Sequence, residues 1–184
     1  MGSDLSMRLC RASPEQIEVL EDIDNDAGLL FSEAGFRFGG DALAAFAAAE
    51  RARWLAAAEQ GRVELALDSA GHMLGFVALS FADGAPYLEQ LSVRRRWMRR
   101  GIGRMLLARA VGWSETLGDL WLTTYAHVPW NGPMYRRWGF EPVEEARCGP
   151  EIRAVLAEQR SALPDPEQRI AMVRARGTVA ASRA

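Results

Sequence analysis

Cysteine and histidine are scarce in this chain: Cys10, Cys148, His72 and His127 are all that 184 residues contain. The cysteine spacing matches no zinc or redox motif. A metal site would have to combine lone imidazoles with scattered carboxylates, so no metal is expected. Long apolar runs are missing as well. None approaches the ~18 to 20 residues of a bilayer span, and the first residues show no basic-then-apolar signal pattern. Charge of one sign is not in excess either. A net charge of −2 with 25% charged residues suits neither a nucleic-acid platform nor a polybasic membrane arm. These absences lead to the expectation of a soluble cytoplasmic protein, its thiols reduced, with no nucleic-acid or membrane partner.

Apolar residues make up 49% of the chain, enough for one globular domain with a sizeable core. There are no internal repeats and no linker long enough to divide it. The expectation is a single domain over residues 1–176 and a small, polar, frayed tail over 177–184. Ser6 to Arg11 reads as a short strand. Ser13-Pro14-Glu15-Gln16 then starts a helix, with serine as cap, proline in the first turn and glutamine three residues after the cap. That helix is expected to reach about Asp26. Phe31 to Gly40 reads as an aromatic-containing loop, and Asp41 caps an alanine-rich helix to about Gln60.

From Gly61 the apolar period becomes two, which predicts strands. Three follow in a meander: Val63 to Leu67, His72 to Phe81 and Tyr87 to Val93, separated by turns at Ser69-Ala70-Gly71 and Asp83-Gly84. A helix from Gly103 to about Leu117 stops near Gly118. Beyond it come a strand at Leu120 to Tyr125, a short helix at Asn131 to Trp138 and a strand at Phe140 to Ala146. A helix from Gly149-Pro150 to Ala162 and a last strand at Arg169 to Val173 complete the series. Trp54, Trp113 and Trp121 sit in amphipathic elements and are expected in the core, with Trp130 placed to line a site.

The chemistry is concentrated between Leu91 and Leu107, where a strand ends, a glycine turn follows and an amphipathic helix begins. Such a turn leaves backbone N–H groups unpaired at the positive end of a helix dipole, where phosphate or pyrophosphate binds. Glycine tolerates positive φ and lets an anion approach the backbone. Arg99, Arg100 and Arg104 add charge. A P-loop would need Gly-Lys-Ser or Gly-Lys-Thr, which is absent. A dinucleotide fingerprint would need a third glycine where Leu106 stands, and a βαβ unit instead of a meander.

Tyr87-Leu-Glu-Gln-Leu-Ser-Val93 followed by Trp97-Met-Arg-Arg-Gly-Ile-Gly-Arg-Met-Leu-Leu107 resembles the fourth strand, pyrophosphate loop and third helix of the GNAT acetyltransferase superfamily, whose signature is Gln/Arg-x-x-Gly-x-Gly/Ala. Met98 departs from it, standing where the family has Gln or Arg, which implies weaker bracing of the loop. Asn131-Gly-Pro-Met-Tyr-Arg-Arg-Trp-Gly-Phe140 resembles the family's downstream motif with a shortened helix. The resemblance spans nearly the whole chain.

It implies an α/β fold: a mixed, mostly antiparallel central sheet of six or seven strands with helices on both faces. It also implies acetyl-CoA as co-substrate, held by Leu91, Ser92, Val93, Met98, Arg99, Arg100, Gly101, Ile102, Gly103, Arg104 and Asn131. The acetyl group would pass to a small-molecule or peptide amine by direct attack in a ternary complex. Tyr135 also lies at the cofactor and would protonate the leaving thiolate. Glu89 is the favoured base for the amine, with Tyr87 two residues away as the alternative; some family members have no side-chain base. Asp24, Asp26 and Glu33 either draw in a cationic amine or simply solvate a helix end. The rival readings are a non-catalytic acyl-CoA-binding or regulatory module and a nucleotide-binding domain. A homodimer stays open, as does the acceptor.

Overall fold

The computed structural model describes residues 7–178. Ser6 and the tail beyond Thr178 lie outside the described residues. Seven strands form one sheet, ordered β1-β2-β3-β4-β5-β7-β6: β1 (Arg8–Arg11), β2 (Val63–Leu67), β3 (Met73–Ala82), β4 (Ala85–Val93), β5 (Leu120–Tyr125), β6 (Glu141–Val143) and β7 (Arg169–Arg174). Helices α1 (Ile17–Glu33), α2 (Asp41–Glu59), α3 (Ile102–Ser114), α4 (Gly132–Arg137) and α5 (Pro150–Ala162) flank it. β1–β2, β2–β3, β5–β7 and β6–β7 pair antiparallel. The parallel pairing of β4 with β5 is confined to one register, Tyr87 opposite Trp121. This is the mixed, mostly antiparallel α/β sheet that the resemblance implied.

Several boundaries differ from expectation, each for its own physical reason. The start at Ser13 is as expected: its N–H donates to Gln16 Oε1 at 2.9 Å, and a 3-10 turn over Pro14–Gln16 leads into α1. That helix continues to Glu33 instead of ending near Asp26, so Phe31 is helical and the loop before α2 is shorter. Contacts from outside α1 hold its last turns, because Asp26 and Glu33 both engage Arg95. α3 closes at Ser114 instead of Leu117. The Ser114 carbonyl accepts the N–H groups of Leu117 and Gly118 at 2.8 and 2.9 Å. β6 stops at Val143 because a 3-10 turn over Glu145–Arg147 intervenes.

The chain forms two compact units: one comprises residues up to Arg37 with Ala48–Ser80 and Glu89–Ala110, and the other Phe38–Ala47, Phe81–Leu88 and Val111 onward. In the first, Ile17, Leu20 and Ile23 of α1 and Trp54, Ala57 and Ala58 of α2 close over Val63, Leu65 and Leu67 of β2 and Phe76 and Ala78 of β3. The 63-65-67 and 76-78 periods are the strand alternation read from sequence, and the 17-20-23 spacing is helical. Trp54 meets Phe76 edge-on, ring centroids 5.3 Å apart. In the second unit, Ile152 and Leu156 of α5 pack on Ala82, Tyr87, Cys148 and Ala171. Of the three tryptophans expected in the core, only Trp54 is fully buried. Trp121 borders the α5 cluster and Trp113 lies against Phe81 at 5.4 Å, both half-buried.

Candidate active site

After β4 the chain makes a 3-10 turn over Arg95–Trp97, and α3 begins at Ile102. Between them Arg99 has φ +62° and Gly101 φ +86°. The first is unusual for a residue with a side chain, and the second is the glycine position that the sequence indicated. Gly103 lies inside α3 without positive φ. A Cβ there would meet Val93 Cγ2 at 3.7 Å and Leu91 Cδ2 at 3.9 Å, ordinary contacts. Packing inside the protein therefore does not require a glycine there. Surrounding loops claim none of the backbone N–H groups of residues 99–104 among the described residues, as the first turn of a helix requires. They form a patch of donors at a positive helix end.

The arginines around this loop divide into two groups. Arg95 is consumed structurally: its N–H donates to Asp26 Oδ2 at 2.7 Å and its guanidinium pairs with Glu33. Arg94 Nε donates to the Met73 carbonyl at 3.1 Å. Arg99, Arg100 and Arg104 are exposed and pair with no carboxylate among the described residues. Arg100 and Arg96 lie over the Trp97 ring, at 5.0 and 5.4 Å from its centroid, and Met98 follows Trp97 in extended backbone. The three exposed guanidiniums leave net positive charge beside the unpaired N–H groups.

β4 departs from simple alternation. Leu91 and Val93 face Gly103 of α3. Gln90 and Ser92 point the other way, both donating to Asp24 Oδ1 of α1, Ser92 Oγ at 2.6 Å. Glu89 also reaches the α1–α2 layer: it accepts from Ser80 Oγ at 2.7 Å and pairs with Arg53 of α2 at 3.5 Å. Consecutive residues 89 and 90 thus share a face, as at a β-bulge. Packing desolvates the Asp24 carboxyl and raises its pKa above the ordinary aspartate value, against the opposing pull of the Ser92 and Gln90 hydrogen bonds. Asp24 and Arg53 were not singled out as partners of β4 from sequence. The available signal was Asp24's position, four residues after Leu20 and seven after Ile17 on the buried stripe of a helix.

In the second unit, Tyr87 is buried and its hydroxyl shares a 2.7 Å hydrogen bond with Thr123 Oγ1 of β5. Asn131 precedes α4 and turns its amide to Thr124 Oγ1 at 2.9 Å. Tyr135 is buried, its ring edge-on to Phe140 at 5.5 Å, and its hydroxyl makes no hydrogen bond among the described residues. Burial pushes its pKa up to about 12, with Arg169 pulling weakly the other way. The phenol therefore stays protonated at neutral pH.

The acetyltransferase (GNAT) family model matches residues 21–140. The chain belongs to the GNAT acetyltransferase family. Among solved structures it is similar to the PaiA N-acetyltransferase of Thermoplasma acidophilum in complex with coenzyme A, at 14% identity and TM-score 0.67, over 93% of this chain and 99% of that one. It is similar to N-acetylglutamate synthase of Neisseria gonorrhoeae with coenzyme A and N-acetyl-glutamate, at 15% identity and TM-score 0.65, over 96% of this chain and 37% of that one. The ribosomal-protein-S18-alanine N-acetyltransferase of Escherichia coli matches at 14% identity and TM-score 0.58, over 97% and 99%. At these identities the likeness is one of fold. No helix among the described residues is long and apolar enough to cross a membrane.

Proposed function

We propose that this protein acts as one acetyltransferase domain and transfers an acetyl group from acetyl-CoA to a primary amine by direct attack in a ternary complex. The observation that carries the reading is the loop at 99–104: backbone N–H groups that no other loop claims among the described residues, a positive-φ glycine and three exposed arginines around the start of α3. A pyrophosphate suits this arrangement, because backbone donors and a helix dipole act together there. Met98 lies against the phosphates in place of a polar brace, and the main chain of Leu91, Ser92 and Val93 pairs with the pantetheine arm. Asn131 and Tyr135 flank the thioester, and Tyr135 gives its proton to the departing thiolate. Glu89, held by Arg53 and Ser80, supplies fixed negative charge for the acceptor ammonium. Tyr87, committed to Thr123, packs the strand. Most of the rate comes from orientation of amine and thioester.

Isothermal calorimetry with CoA tests the loop. Gly101→Val and Gly103→Val should abolish binding with the fold retained. Arg100→Ala should cost less, since an exposed charge is screened. Unchanged affinity in both glycine variants overturns the loop assignment. Turnover of acetyl-CoA with a lysine-containing peptide tests the reaction. The chain contains arginine but no lysine, so every acetyl-lysine formed belongs to the acceptor.

A further inference from the structure

The half-buried carboxylate of Asp24 has no place in the mechanism above. It projects from α1 beneath the bulged part of β4, and both of its hydrogen bonds, from Gln90 Nε2 and Ser92 Oγ, end on the same oxygen, Oδ1. Oδ2 accepts nothing among the described residues, and the residue keeps partial exposure. The cations of neighbouring elements are engaged elsewhere. Arg51 pairs with Glu21, Arg53 with Glu89, and Arg95 with Asp26 and Glu33. No cation pairs with Asp24 among the described residues. Glu89, a second carboxylate on this face, is in the opposite situation: a hydroxyl engages one of its oxygens and a guanidinium the other.

We propose that Asp24, and not Glu89, is the group that takes the proton from the acceptor ammonium, with Oδ2 as the accepting atom. The proposal rests on the acetyltransferase reading. A general base needs an uncommitted lone pair, a pKa drawn toward neutrality and access to its substrate. The geometry provides the first, the partial exposure of the residue leaves a route to the third, and desolvation of Asp24 acts in the direction of the second. Gln90 and Ser92 anchor Oδ1 to the strand, which leaves Oδ2 without a donor among the described residues.

R–NH3+ gives one proton to Asp24 Oδ2, leaving the neutral amine and a carboxylic acid. The amine nitrogen attacks the thioester carbonyl carbon, and the C–S bond breaks. The sulfur gains a proton from Tyr135, which is re-protonated by the second proton leaving the nitrogen. Asp24 returns its proton to solvent. The sum is R–NH3+ and acetyl-CoA going to the amide, free CoA thiol and one released proton.

The test compares wild type, Asp24→Asn and Glu89→Gln on two probes, L-lysine amide and hydroxylamine, across pH. Lysine amide carries a side-chain ammonium that must lose a proton; hydroxylamine is already neutral at neutral pH. The Asn amide oxygen still accepts from Gln90 and Ser92, so CoA affinity should be kept. With lysine amide, Asp24→Asn should lose about 10²- to 10⁴-fold in kcat/KM, the span of a general base, together with the carboxylate limb of the profile. With hydroxylamine it should lose little. Glu89→Gln should raise KM and keep the limb. Equal losses on both probes, or a limb that survives in Asp24→Asn and disappears in Glu89→Gln, overturn the role and leave the acetyltransferase reading standing. Wild type that binds CoA but acetylates neither probe nor any other amine overturns the reading and the role together.

Discussion

At the scale of single residues, Tyr135 carries the clearest expectation. Burial holds its phenol protonated, with a pKa near 12, so no loss of rate should come from its ionisation over an ordinary assay range. Its hydroxyl makes no hydrogen bond among the described residues, and removing it should spare the ground state. Tyr135→Phe should therefore keep CoA affinity and Tm while lowering kcat by roughly 10- to 1000-fold, at or below the usual span for a proton donor. Kinetics and thermal melting on one preparation check this. A variant that keeps its turnover and loses Tm makes Tyr135 a packing residue for Phe140. The motif was legible in sequence through the offset from Tyr135 to Gly139-Phe140. The free hydroxyl was not, because a partner's absence depends on side chains from distant segments.

At the scale of elements, two backbone positions make opposite demands. Gly132 opens α4 hard against the end of β5: a Cβ would lie 2.5 Å from the Ala126 carbonyl oxygen and 2.9 Å from that of Tyr125. Backbone cannot yield as a flexible side chain does, so Gly132→Ala should cost about 1–3 kcal/mol, the usual range for overpacking. Urea melts would measure it. An unchanged midpoint would mean that α4 shifts freely. Arg99 is the converse, a side chain in left-handed backbone at φ +62°. That conformation costs roughly 1–2 kcal/mol, and glycine's extra chain entropy offsets about 0.5–1 kcal/mol of any relief. Arg99→Gly should therefore be at least as stable as wild type and clearly more stable than Arg99→Ala, which loses the charge without relieving the backbone. Equal melting of the Gly and Ala variants would show that the strain is dissipated. Periodicity located nearly every element, but the end of α1 was beyond its reach. Asp26 and Glu33 extend α1 because Arg95, some sixty residues away in the chain, holds them.

At the scale of the whole molecule, Asp24 should leave a mark on stability as well as on rate. Its folded pKa is raised above an unfolded value of about 3.9. The folded state then binds more protons in that window, and the wild type loses stability as pH rises from the unfolded pKa through the folded one. Asp24→Asn has no such loss. The stability of the Asn variant relative to wild type should rise with pH across the window and stay level above it, whatever constant difference packing adds. Asp68 and Glu115 run the other way: hydrogen bonds from His72 and from Arg174, respectively, lower their pKa values, so their contribution is lost on acidification in both proteins and cancels. Denaturation of the two proteins at several pH values measures the difference. A difference that is flat from acid to neutral pH would show that Asp24 is not desolvated.

What the sequence determined by itself is whatever local chemistry imposes: strands where the period is two, helices where it is 3.6, a turn where only glycine is comfortable, and a donor-rich loop where strand gives way to helix. Such rules act over a few residues and survive in a string of letters. Contacts between distant segments belong to the tertiary structure. It sorted the arginine cluster into Arg94 and Arg95 bound to the fold and Arg99, Arg100 and Arg104 left exposed. It tied Glu89 to Arg53 and Ser80 and turned Gln90 to the same face. It brought Asp24 under β4 with one oxygen anchored to Gln90 and Ser92. The reason is physical: a carboxylate's proton affinity depends on the water and charges around it, and folding alone decides which segments supply them.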